Sequence, residues 1–353
     1  MPSSNDRAGS AVTLRDVAHV AGVHPATVSR ALNEDTRALV NQETARRVLK
    51  AAEELGYRPN PIARGLKTNR SYTIGVLIPD LTNPLFPPIL RGIEDRLETA
   101  GYTPLIANTD NDPERELLDS ETMRARQVDG IIAATARRDH RLHDALLEAG
   151  TPLVLVNRRQ EELPVSSATA DDRLGMRLSV EHLLSLGHTR IAHVAGPLDY
   201  STGLERWESF QATMRAAGLE PDPELVLVAE AFTEDEGARL CRELMADGHE
   251  FTAIAAANDL LALGCYDVFA ETGVRCPDEI SVVGFNDMPF AARFHPPLTT
   301  IHIPHYDIGR GAAELMLERL QDADSPLREI RLEPSLVVRD STARAGSGRG
   351  SGA

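Results

Sequence analysis

A chain of 353 residues is longer than one average domain, and its 42% hydrophobic and 25% charged residues are ordinary for a soluble globular protein. No run approaches the roughly 18 apolar residues of a membrane span. Cys241, Cys265 and Cys276, odd in number and scattered, argue against a disulfide framework or a zinc site. The net charge of −16 is unevenly divided: residues 1–70 hold 11 basic and 7 acidic residues, or +4, and the remainder 26 and 46, or −20. The basic end is where a phosphate backbone could be met, although a solvated surface with chance asymmetry accounts for the charge equally well. The start, Met1-Pro2-Ser3-Ser4-Asn5-Asp6-Arg7, is polar and has no apolar signal segment, so the expected compartment is the cytoplasm.

In chain order, Thr13-Leu14-Arg15-Asp16 reads as a capping box, a hydroxyl with an acid three residues on. Leu14, Val17, Ala18 and Ala21 follow at helical spacing, and Gly22-Val23 ends that helix. Pro25 suits the first position of a second helix, which runs through Ala26-Thr27-Val28-Ser29-Arg30-Ala31-Leu32. Two short helices joined by a tight glycine turn form a helix-turn-helix. Val28, Ala31 and Leu32 face inward; Thr27, Ser29 and Arg30 face outward. A third helix starts at the cap Asn41, carries an apolar stripe of Ala45, Val48, Leu49, Ala52 and Leu55, and ends at Gly56. A generic small helical bundle with a basic face fits the same pattern. The segment Pro59 to Lys67, with two prolines, reads on its own as a linker.

The run Val12 to Ala18, then Ala21-Gly22-Val23, then Thr27 to Asn33, resembles the start of lactose-repressor (LacI/GalR) family regulators, as does Ala51 to Asn60. The match extends over nearly the whole chain. It departs at His24, where the family has a serine cap, and at Pro25 and Ala26, base-reading positions without a hydrogen-bonding side chain. The resemblance implies a sequence-specific DNA-binding transcriptional regulator, most simply a repressor. Its expected operator is a pseudo-palindrome with a central CG step. The DNA-binding residues it implies are Thr13, Leu14, His24, Pro25, Ala26, Thr27, Ser29, Arg30, Asn33 and Tyr57, with Asn60, Ala63, Leu66 and Lys67 in a hinge helix that forms on DNA. There Leu66 would wedge into the minor groove. A short helix with Gly65 and flanking prolines is marginal alone.

From Tyr72 the pattern becomes strand, helix, strand: Thr73 to Ile78, then near 103–107, 129–134, 152–156, 190–195, 225–229, 252–256 and 280–284. Short apolar strands alternating with helices imply parallel sheets covered on both faces, and so many suit two sheets better than one. The expected fold class is α/β: an N-terminal helical helix-turn-helix domain plus a two-lobed, doubly wound effector domain like a periplasmic binding protein. The division is 1–58 for the DNA-binding domain, 59–71 for the hinge, 72–341 for the effector domain and 342–353 for a disordered tail. The first lobe takes 72–167 and 300–327, the second 168–298 and 328–341, with crossings near 166–170, 298–302 and 328–332.

Ligands of such sheets bind at the carboxyl ends of strands, and the resemblance points to the same places. Expected effector contacts are Asn83, Leu85, Phe86 and Asp110 in the first lobe, and Asp171, Tyr200, Thr202, Arg206, Trp207, Phe232, Asn258 and Asn286 in the second. An arginine fork suits hydroxyls or a carboxylate, against a surface salt bridge of Arg206 with Asp199 or Glu208. Helix capping rivals a ligand role for Asp171, Asn258 and Asn286, and Trp207 reads equally as core. The ligand class is a sugar or sugar derivative, with a nucleobase or other non-sugar ligand of a solute-binding-protein-like sensor as the alternative. No P-loop, GxSxG, HExxH or paired catalytic cysteines are present, so no catalytic residue, cofactor or metal site is expected. A homodimer is expected, because one head covers too little DNA and no heptad helix closes the C-terminus.

Overall fold

The computed structural model describes residues 12–57, 70–138, 142–160, 163–246, 248 and 250–346, with backbone only at 34, 35 and 142–144. The chain separates into two units between Ser71 and Tyr72.

In the first unit, α1 (Leu14–Ala21) opens on a complete capping box: Thr13 Oγ1 accepts from the Asp16 amide, and the Asp16 carboxylate accepts from the Thr13 amide at 2.8 Å. Gly22 closes α1 at φ 63°, a left-handed turn that glycine enters without steric cost. In α2 (Pro25–Leu32) the cap is His24, whose Nδ1 accepts from the Ala26 amide at 3.2 Å. A single turn, α3 (Glu34–Arg37), which the sequence pattern does not disclose, precedes α4 (Gln42–Glu54), capped by Asn41. Val17, Ala18, Val28, Ala31, Ala45, Val48 and Ala52 form the small core.

The second unit is built on two parallel sheets. One has the order β11-β5-β4-β3-β1-β2, from β1 (Thr73–Ile78), β2 (Thr103–Asn108), β3 (Gly130–Ala133), β4 (Leu153–Val156), β5 (Ser166–Ala170) and β11 (Glu329–Leu332). The other has the order β7-β6-β8-β9, from β6 (Ile191–Ala195), β7 (Val226–Val228), β8 (Ala253–Ala256) and β9 (Ser281–Val283). The central strands β3, β4, β6 and β8 are buried throughout, as sheets covered on both faces require. α5 (Phe86–Glu98) packs along α12 (His305–Gln321) on the first sheet; α8 (Asp172–Ser185) packs against α9 (Ser201–Ala216) in the second lobe, and α10 (Glu234–Ala246) against α11 (Asp259–Thr272).

Two details differ from expectation. β5 and β11 belong wholly to the first sheet, whereas β10 (Thr300–His302) bridges to the second through Val283–Thr299 and Asn286–His302 and pairs antiparallel with β12 (Ser335–Val337). The chain therefore crosses just after β5, β10 and β11, a few residues later than the lobe boundaries read from the sequence. Hydrogen-bonded register decides membership here, and short strands of similar composition do not reveal it. The segment 342–346 is also ordered, contrary to its glycine- and alanine-rich composition. The Ala343 amide donates to Ser281 Oγ at 3.1 Å, and the Ala345 amide to the Leu186 carbonyl at 3.0 Å.

Candidate ligand-binding cleft

Loops that leave the carboxyl ends of both sheets meet around a cavity of about 730 Å3, counting its open mouth. After β1 come Pro79, Asp80, Asn83, Leu85 and Phe86; after β2, Asn111; after β4, Asn157 and Arg158. The second lobe supplies Tyr200, Thr202 and Arg206 after β6, Glu230 to Thr233 after β7, Asn258 after β8 and Asn286 after β9. This is the crevice that the topology of open parallel sheets reserves for ligands. Glycines shape it: a Cβ at Gly196 would meet the Phe232 ring, and one at Gly203 would meet the Pro197 carbonyl against which α9 begins.

Arg206 is 4% exposed. Its Nε donates to Asp172 Oδ1 at 2.7 Å, its Nη1 to the Ala257 carbonyl at 2.7 Å, and its guanidinium lies 3.8 Å from the Phe285 ring centre. The partner is thus Asp172, on the first turn of α8, rather than Asp199 or Glu208. Burial pushes the Asp172 carboxyl up to about 6 against the opposing pull of Arg206. Beneath the pair His193 is stacked on Phe210 at 4.5 Å, with Nδ1 2.7 Å from the Ala255 carbonyl; burial holds its pKa down at about 4.

Arg158 is buried too, with its guanidinium 3.7 Å from the Tyr200 ring centre. Its Nε and Nη1 have no hydrogen-bond partner, nor has Asn286 Oδ1 across the cavity. Asn286 and Asn157 hold left-handed backbone at φ 111° and 64°. Such conformations persist where surrounding structure enforces them, and they cluster at ligand sites. The lobes are joined beside the cavity by Tyr200 Oη donating to Asn111 Oδ1 at 3.3 Å, Arg159 Nε donating to Glu205 Oε1 at 2.7 Å, and the Arg137–Asp199 ion pair.

Of the expected contacts, Asn83, Leu85, Phe86, Tyr200, Thr202, Arg206, Phe232, Asn258 and Asn286 line the cavity. Three stand off it. Asp110 is exposed and ion-paired with Arg115. Asp171 caps α8, accepting from the Leu174 amide at 2.9 Å, and lines a separate depression. Trp207 is half-buried on α9, one residue past Arg206 and so turned away from the cavity. Asn258 both caps α11, accepting from the Leu261 amide at 2.8 Å, and lines the cavity. Asn157, Arg158 and Glu230 escaped the sequence reading, although each lies within two residues of the end of a strand. In the first unit His24, Ala26, Arg30 and Asn33 are exposed, and Pro25, Thr27 and Ser29 half-buried, along α2 and its ends. Thr13 Oγ1 is engaged in its capping box, and Leu14 and Tyr57 pack on the core. Asn60, Ala63, Leu66 and Lys67 lie outside the described residues.

A helix-turn-helix unit followed by a two-lobed, cleft-bearing unit defines a DNA-binding transcriptional regulator controlled by a small molecule. The sequence profile of bacterial regulatory proteins, lacI family, matches residues 13–60, and that of a periplasmic binding protein-like domain matches residues 180–342. The chain is 33% identical over 331 residues to a ribose operon repressor of Halalkalibacterium halodurans, covering 94% of this chain and 97% of that one. Among solved structures, a lac repressor dimer bound to operator and the anti-inducer ONPF superposes with a TM-score of 0.84 at 29% identity, covering 95% and 100% of the two chains. A regulator from Enterococcus faecium with bound ribose superposes at 0.68 with 31% identity over 77% of this chain and 99% of that one. The chain belongs to the lacI family of bacterial regulatory proteins.

Proposed function

We propose that the protein is a repressor that binds a pseudo-palindromic operator as a homodimer and whose grip on DNA is set by a sugar or sugar derivative held in the cleft. The observation that carries the reading is the chemistry of the lining. Asn83 and Asn258, whose Oδ1 atoms accept from the Leu85 and Leu261 amides, turn amide nitrogens to the cavity as donors, and Asn286 adds an unengaged Oδ1 acceptor, as adjacent hydroxyls require. Phe86, Tyr200 and Phe232 supply ring faces for the apolar side of a sugar. The similar proteins named above are transcriptional repressors, and on that likeness we read the chain as a non-enzyme. The ribose named in two of the similar proteins points to the same ligand class.

On DNA, Arg30 is the side chain on exposed α2 suited to a bidentate contact with guanine O6 and N7, while Pro25 and Ala26 offer shape and methyl contacts. Twofold symmetry then doubles the site. Calorimetry with ribose, other sugars, sugar phosphates and nucleobases tests the reading. A sugar that binds with 1:1 stoichiometry per chain and shifts operator affinity supports it; a nucleobase as the sole ligand overturns the sugar assignment.

A further inference from the structure

We infer that the effector is an anionic polyol, a sugar derivative whose carboxylate or phosphate is received by Arg158 while a hydroxyl donates to Asn286. The inference rests on the cleft being the effector site, as proposed above, and fixes the charge of what enters it.

The two arginines of the lining differ in how their charge is met. Arg206 has Asp172 as counterion and the Ala257 carbonyl as a further acceptor. Its charge is neutralised by the protein, so its remaining valences can serve an uncharged hydroxyl. Arg158 has no such partner: its Nε and Nη1 are buried and unbonded, and among the described residues it forms no ion pair. The preceding residue, Asn157, is a neutral amide. Burial disfavours the Arg158 charge, and the fields of Tyr200, Asp199 and Glu116 offset this only in part, because Asp199 is paired with Arg137 and Glu116 receives the Thr135 hydroxyl. Of the two carboxylates on the lining, Glu230 is exposed to solvent, and Asp80 is half-buried and engaged by the Thr82 amide and hydroxyl.

An arginine remains charged at neutral pH, and burial without a counterion is costly. The stacked Tyr200 ring offsets a part of that cost. A ligand anion removes the rest, and guanidinium donors bond carboxylate and phosphate oxygens more strongly than neutral ones. Opposite, Asn286 Oδ1 accepts nothing, in a backbone conformation at φ 111° that only an enforced site retains. An acid at one end and a hydroxyl donor at the other fill both deficits.

The test uses the full chain, with Arg158→Met and Arg206→Met, in melts and calorimetry at constant ionic strength. Inorganic phosphate, ribose and ribose 5-phosphate are the probes. Arg158→Met is expected to match or exceed wild type in Tm without ligand, since it removes a buried charge that has no ion-pair partner, whereas Arg206→Met strands Asp172 and lowers Tm. Phosphate is expected to raise the Tm of wild type more than that of Arg158→Met. Ribose 5-phosphate is expected to bind wild type at least tenfold tighter than ribose, with the difference lost in Arg158→Met. Ribose binding as tightly as its phosphate overturns the anionic assignment and leaves the sugar reading standing. Phosphate protection through Arg158 with neither sugar bound keeps the anion subsite and rejects the pentose. Equal phosphate protection of both proteins, or an Arg158→Met as unstable as Arg206→Met, overturns the inference.

Discussion

Arg206 and Asp172 illustrate how one buried pair joins stability to recognition. Each holds the other's charge inside the protein, so removing one leaves the other unpaired at a cost of about 3–5 kcal/mol. Arg206→Ala is therefore expected to lose ligand affinity and destabilise the effector unit together, and adding Asp172→Asn should recover part of the stability but not the affinity. Urea melts of the two variants separate the effects; equal stability of wild type and Arg206→Ala would contradict the pairing. His193 gives a pH signature. Its folded pKa of about 4 lies below the ordinary 6.5, so on acidification the unfolded chain takes up a proton first. The stability advantage of wild type over His193→Gln should thus be complete above pH 6.5 and shrink as pH falls through 6.5 toward 4. A gap that does not vary with pH would show that the imidazole is free to protonate in the folded state. The family resemblance pointed to Arg206 as a cleft residue, but its partner arrives from α8 through tertiary packing, which spacing along the chain does not encode.

At the scale of the element, local chemistry was the most legible part. Thr13, Gly22, Pro25 and Asn41 mark the ends of α1, α2 and α4 because caps and left-handed turns depend on one or two residues each. Thr13→Ala is expected to cost the DNA-binding unit about 1 kcal/mol, seen as a lower midpoint in its melting; an unchanged midpoint would mean that the capping box contributes nothing. His24 departs from the usual capping residues yet still accepts a backbone proton through Nδ1, so the deviation is compensated locally. The strands other than β12 were found, but not the sheet to which each belongs. β10 and β11 are both short, and long-range hydrogen bonds join β11 to β5 in the first sheet while β10 pairs with β12 and bridges to the second. The same limitation hid Arg158: the second residue past β4 gains its meaning only when β4 lies beside β3 and β5 with its end in the crevice. For the recognition element, Arg30→Ala is expected to relax the preference for one guanine in each half-site by about 1–3 kcal/mol. Selection from a random duplex library reads this directly, and an unaltered consensus would remove Arg30 from base reading.

At the scale of the molecule, three chain crossings and a set of bonds between the lobes make the cleft a place where a small ligand can bias the arrangement of two bodies. A ligand shifts such an equilibrium only by its difference in affinity for the two arrangements, and coupling of this kind is typically about 5–150-fold. The central claim is that occupancy of the cleft sets the affinity for operator. The direct measurement is fluorescence anisotropy of the full chain on its library-selected duplex at fixed salt, with and without each compound that raises its Tm. The account predicts that at least one anionic polyol changes the operator Kd by fivefold or more. If every compound that stabilises the protein leaves that Kd within twofold, cleft occupancy and DNA binding are uncoupled and the account is wrong.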